Sequence, residues 1–176
     1  MVKKSLSFMV LLITLLVAGC SHPFDEEEFN YIEYYSAEII PAAQTACNDF
    51  SAWLNSSSKD GLLLTELKKN AEFIKEINLR YWTNEFPDDK VIEKWRVRRT
   101  LNGHEWVIKG RELADALYFV AANTDSFAYQ LELLFENQGS LSDEQLESLI
   151  ACSKDMKVQL EWLKRLLFTG NEVGID

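Results

Sequence analysis

Along most of this chain, apolar residues recur at every third or fourth position, the spacing that stacks side chains on one face of an α-helix. The first such stretch carries Phe29, Ile32, Ser36, Ile39, Ala43, Cys47, Phe50 and Leu54, and predicts a helix over 25–56. Its start is marked, because Asp25 and Glu28 have the spacing of a capping box and Phe24 and Phe29 that of a hydrophobic staple. Pro41 falls inside the stretch and is expected to bend it, since proline brings no amide donor and crowds the preceding turn.

After the turn chemistry of Asn55 to Gly61, the same spacing returns at Leu64, Leu67, Ala71, Ile74, Ile77 and Tyr81. A third stretch, from Arg111 to Asn137, carries Leu113, Leu117, Val120, Thr124, Phe127, Leu131 and Leu134, with Gly139 as the expected C′ residue. A fourth opens on Leu141-Ser142-Asp143-Glu144-Gln145-Leu146, a second capping box with its staple. It runs through Leu149, Ser153, Met156, Leu160, Leu163 and Leu167 to Gly170.

The segment 86–110 breaks the pattern and supports two readings. In the preferred one, Asn102-Gly103 is a two-residue type I′ turn. Trp95, Val97 and Leu101 then share a sheet face with Trp106 and Ile108, leaving Arg96, Arg98 and Lys109 outside. In the other, Pro87 opens a helix with Asp88 and Asp89 in its first turn, and Asn102 caps a further helix running into the third long one. Without this insert, helices of about 32, 22, 27 and 27 residues joined by short links predict a mainly α, up-down-up-down four-helix bundle.

With 176 residues, 47% of them apolar, the chain is long enough to bury one real core. Its 18 basic and 28 acidic side chains give a formal charge of −10, which argues against a nucleic-acid partner, because phosphate contacts need a concentrated basic surface.

The N-terminus carries an address. Lys3 and Lys4 precede an apolar run from Leu6 to Val17, too short for the ~20 residues of a membrane-spanning helix. Leu16-Val17-Ala18-Gly19-Cys20 follows, and it resembles the lipobox of bacterial lipoproteins. The resemblance covers only this segment; Val17 stands where leucine is commoner. It implies a signal peptide over 1–19 and a lipid-modified Cys20; the helical pattern then leaves a tether over 20–24, a domain over 25–170 and a tail over 171–176. Several acyl chains on one cysteine hold a protein on a membrane while its folded part stays in water. Ser21 stands where an aspartate would favour inner-membrane retention, which implies the periplasmic side of an outer membrane in a Gram-negative envelope. Losing Lys3 and Lys4 takes the charge from −10 to −12, so the net charge of the domain does not help its anchor.

With Cys20 lipidated, Cys47 and Cys152 remain. Counted from the helix ends, they lie at nearly equal depth on adjacent antiparallel helices, and export favours oxidation. A Cys47–Cys152 disulfide is expected, closing a loop worth up to ~4.7 kcal/mol on the chain-entropy model.

Catalytic patterns are missing from the sequence. The histidines are His22, in the tether, and His104, beside the turn; no E-x-x-H pair, C-x-x-C-H, glycine-rich phosphate loop or G-x-S-x-G occurs. No catalytic residue, metal ligand or cofactor is therefore assigned. Two groups are candidates for a partner surface. Tyr31, Tyr34 and Tyr35 crowd the start of the first helix beside Glu33, and tyrosine suits interfaces. Arg96, Arg98 and Arg99, with Lys94, form a basic cluster able to receive an acidic protein segment or lipid headgroups. The layout is similar in outline to secretion pilotins, without a diagnostic motif. Together these features predict a lipid-anchored envelope protein acting through protein contacts. A binder of a small apolar or cell-wall ligand between helices is the alternative, hinted at by the five tryptophans, although Trp53 and Trp162 lie beside helical stripes and suit packing.

Overall fold

The computed structural model describes residues 26–56, 61–83, 86–101 and 104–169. Cys20, the signal peptide, the tether, Asp25 of the first capping box, the Asn102-Gly103 turn and the tail lie outside the described residues.

The chain is mainly helical, with one two-stranded sheet. Its elements are α1 (Glu26–Asn55), α2 (Gly61–Thr83), the single turn α3 (Asp89–Ile92), β1 (Arg96–Leu101), β2 (His104–Lys109), α4 (Gly110–Glu136) and α5 (Asp143–Lys164). A π-helical turn, Arg165–Thr169, continues α5. α1 packs on α2, α2 on α4, α4 on α5, and α5 back on α1. The four long helices thus surround one core, in which Phe29, Ile32, Ile39, Leu67, Ile74, Leu117, Leu131 and Leu160 are fully buried. Each such side chain contributes roughly 1.5–3 kcal/mol relative to solvent exposure.

α1 stays helical through Pro41. The carbonyl that proline leaves without a donor belongs to Ala37, and both residues lie on the exposed face, where water can serve it. At the start of α5, Ser142 Oγ accepts from the Gln145 amide at 3.2 Å and Gln145 Oε1 accepts from the Ser142 amide at 3.0 Å, closing the expected capping box.

The end of α4 differs from expectation by one residue. The Gly139 amide donates to the Leu134 carbonyl at 2.8 Å and the Gln138 amide to the Phe135 carbonyl at 2.9 Å, the two bonds of a Schellman motif. Gln138 therefore occupies C′ at φ 51°, and Gly139 takes C″ at φ 80°.

The insert is a hairpin preceded by one helical turn. Asp88 caps α3 by accepting from the Lys90 amide at 2.7 Å, but the helix ends at Ile92 and does not run on toward Asn102. Arg96 pairs with Lys109 and Leu101 with His104, leaving a two-residue connection as the Asn-Gly signal requires. Trp95, Val97 and Ile108 are buried beneath the ribbon, and the Trp95 ring lies 6.1 Å from that of Phe29 on α1. This packing is what holds it, because an isolated hairpin is marginal in water.

Candidate partner-binding groove

Asn78 stands on the core face of α2 between Ile74, Ile77 and Tyr81, a position where an unpaired amide would be costly. It is satisfied from three sides. The Tyr35 hydroxyl of α1 donates to Asn78 Oδ1 at 2.9 Å, while Asn78 Nδ2 donates to Thr124 Oγ1 at 3.0 Å and to Asp125 Oδ1 at 2.6 Å on α4. Thr124 Oγ1 passes its own proton to the Val120 carbonyl at 2.7 Å. The network ties α1, α2 and α4 together at one depth.

On the solvent side of this network, α2 and α4 leave a groove of about 630 Å³. Asn78, Leu79 and Trp82 from α2 and Tyr118, Ala121, Ala122 and Asp125 from α4 line it. Lys75 lines one end, held by Glu132 at 2.8 Å. Trp82 is fixed by stacking on Phe86 at 4.3 Å, whereas Leu79 and Tyr118 are 65% and 58% exposed. The groove is mainly apolar, and its leucine and tyrosine side chains face outward.

Leu79 and Tyr118 were not among the residues singled out from sequence. Their signal was present, since each is a large apolar residue off its helix's core stripe.

The residues anticipated from sequence are dispersed. Tyr31 lies edge-on to Tyr81 at 5.6 Å and Tyr34 is 64% exposed, so both remain accessible. Tyr35 does not: it is fully buried, and the surface proposed at this end loses it to the core. Arg96 and Arg98 point outward from β1. Arg99 and His104 lie in the strands, with side chains outside the described set. Trp53 is buried and Trp162 packs against the core.

The two cysteines match in depth but are not bonded to each other. Cys47 is buried against Ser153, whose hydroxyl donates to its sulfur at 3.4 Å, and its thiol donates to the Ser153 carbonyl at 3.6 Å. Cys152, one residue earlier, turns about 100° away around the helix, as 3.6 residues per turn dictates. Its thiol meets the Asn123 carbonyl on α4 at 3.8 Å.

Burial pushes the Tyr35 phenol well above the ordinary tyrosine range; the Asp125 charge adds to this, and contacts with Trp82 and Thr124 partly offset it. Burial likewise raises both thiols, with hydrogen bonds from Ser153 and Ser126 opposing the shift at Cys47 and Cys152 respectively. The unfolded chain would release these protons near 9.0 for thiols and 10.0 for phenols while the folded protein retains them. Above those values, and until the folded group also titrates, the unfolded state binds fewer protons and stability falls, by at most about 1.4 kcal/mol per pH unit for each group. Urea midpoints of the reduced protein, with both thiols free, should decline as the pH rises above about 9, and Tyr35→Phe should flatten the decline above about pH 10.

Among the described residues, no three His, Cys, Asp or Glu side chains converge into a metal-binding cluster, and no helix is long and apolar enough to cross a membrane. No protein-family model matches the chain, and no curated protein and no solved structure matches it.

Proposed function

We propose that this chain is a lipoprotein held in a cell envelope through Cys20, working without catalysis by docking an apolar helical segment of an envelope protein between α2 and α4. The observation that carries this reading is the open groove with Leu79 and Tyr118 exposed along it. From Lys75 to Thr83 the groove follows α2 for about 12 Å, two helical turns, which suits a partner helix presenting anchors at i, i+4 and i+7. A small-molecule site ordinarily encloses most of its ligand; a groove open along its length covers one side only. The lipobox-like Leu16 to Cys20 supports the anchor, and Ser21 supports the periplasmic face of an outer membrane as its place.

The order of contacts supports an up-down-up-down arrangement of the long helices. Partners of α1 run backward along α2 (Asp49 with Asn70, Tyr35 with Asn78), and those of α2 run backward along α4 (Lys75 with Glu132, Asn78 with Asp125). A Cys47–Cys152 bridge belongs to the same reading, and its formation would turn Cys152 from Asn123 toward α1.

The test is photo-crosslinking in cells from Leu79 and Tyr118, with Val158 on α5, also exposed, as the comparison. One envelope protein should be captured from both groove positions and not from Val158. Tyr118→Asp should cut the Leu79 adduct at least about ten-fold, since a charge buried in an apolar groove costs more than the ~1.4 kcal/mol that factor represents. Equal neighbours at all three positions, or none, would overturn the reading. The polar groups of Asn78 and Asp125 in the groove lining favour a small ligand as a second reading, and a ligand retained in native mass spectrometry at the expense of the adduct would select it.

A further inference from the structure

The exposed face of the hairpin is basic, in a chain that is acidic overall. Between Lys94 and Arg111 the sequence has six basic side chains against one acidic, in a chain of formal charge −10. Lys94, Arg96, Arg98, Lys109 and Arg111 are all exposed. The register sets Arg96 directly opposite Lys109 and places Arg98 on the same outer face, so like charges meet across the ribbon, an arrangement that costs stability by itself. Arg96 Nη1 donates to the backbone carbonyls of Trp95 at 2.6 Å and Glu93 at 3.4 Å, not to a carboxylate. Lys109 reaches Glu112 at 3.4 Å; among the described residues no acidic partner pairs with Lys94, Arg96 or Arg98.

The hairpin also stands at a particular end of the molecule. The Phe29 and Trp95 rings lie 6.1 Å apart, which puts the first turn of α1 beside the residue that precedes β1. Only six residue steps separate Cys20 from Glu26, a span of about 20 Å even fully extended. A lipid on Cys20 therefore brings its membrane to this end. The Debye length of about 8 Å at physiological salt screens the acidic remainder of the domain, while guanidinium groups at the surface meet phosphodiester oxygens in bidentate geometry.

We infer that the outer face of β1 and β2, through Arg96, Arg98 and Lys109 with Lys94 and Arg111 at its base, rests on anionic phospholipid headgroups of the membrane that holds the anchor. The inference rests on the lipid-anchor reading above. It orients the domain on the membrane, with the hairpin as its foot.

The mature protein, extracted with its anchor, is reconstituted in phosphatidylcholine vesicles with or without phosphatidylglycerol. Hydrogen exchange across 94–111 is followed by mass spectrometry, and the same digest gives the mass of the Cys20 peptide. Exchange in the hairpin should slow on phosphatidylglycerol and the difference should vanish at high salt. Each basic side chain near an anionic surface is worth roughly five-fold in partitioning, so R96Q with R98Q should lower the docked-to-undocked ratio about 25-fold. Unchanged protection in α5 reports that the variant is folded. Equal exchange on both vesicles, with lipid present on Cys20, overturns the inference and leaves the anchor standing. A Cys20 peptide without lipid overturns both. Protection that appears only in intact envelopes, and on neither purified vesicle, assigns the face to a protein and also overturns it.

Discussion

Gly110→Ala should destabilise the protein by about 3 kcal/mol or more, although helix propensity alone predicts the opposite sign. Gly110 is the first residue of α4, and alanine at a helical position is ordinarily better than glycine by about 0.5–1 kcal/mol. Here the added Cβ would fall 1.7 Å from the Ile92 carbonyl oxygen and 2.8 Å from both the Ile92 carbonyl carbon and the Trp95 amide nitrogen. All three are backbone atoms, so no side chain can rotate aside. The Gly110 amide also donates to the Trp95 carbonyl at 3.0 Å, which pins β2, α4 and the end of α3 at one crossing. Relief requires the hairpin root to move, taking Trp95 away from Phe29. Gly61→Ala is the matched control, because a Cβ there meets nothing within 4 Å, and it should change stability by less than about 1 kcal/mol. Denaturant unfolding followed by circular dichroism measures both. A Gly110→Ala protein as stable as its parent would show that this crossing is not fixed.

The hairpin was legible in the sequence because two signals agreed, alternation on either side and Asn102-Gly103 between. α5 was legible because Ser142 and Gln145 satisfy each other locally, without help from the rest of the fold. Signals that needed a second element were read less well. The stripe through Ile32, Ser36 and Ile39 gives the centre of the buried face of α1 but not its width. α1 touches both α2 and α5, so Tyr35, one step to the side, is buried as deeply as Ser36. The depth match of Cys47 and Cys152 followed from counting residues, while the azimuth did not. Ser153 takes the position facing α1, and Cys152 is turned toward α4. At the end of α4 the expected glycine was present, but the hydrogen-bond pattern put Gln138 at C′ and Gly139 one position later. The groove was hidden for a similar reason, because Leu79 and Tyr118 are far apart in sequence and meet only when α2 lies against α4.

Asn78→Leu should cost about 3 kcal/mol, despite replacing a buried polar side chain with an apolar one of similar size. Apolar gain and polar loss compete at this site. Leucine removes the desolvation penalty of the amide, but it strands the Tyr35 hydroxyl, which is fully buried and keeps its proton because of that burial. An orphaned buried hydroxyl costs about 1–3 kcal/mol, and the bonds lost to Thr124 and Asp125 add roughly 1 kcal/mol each before water repairs the exposed carboxylate. Tyr35→Phe alone leaves only Asn78 Oδ1 without its donor and should cost about 1 kcal/mol. Combining the two removes both ends of the Tyr35–Asn78 bond, so the double variant should be less destabilised than the sum of the singles by about 1–2 kcal/mol. Simple additivity would show that the two side chains are not coupled, and the network would lose its part in setting the depth of α2 against α1. If coupling is found, the same pair of variants connects stability to the groove. Asn78 lines the groove and Tyr35 does not, so crosslinking from Leu79 should change with Asn78→Leu and persist unchanged with Tyr35→Phe.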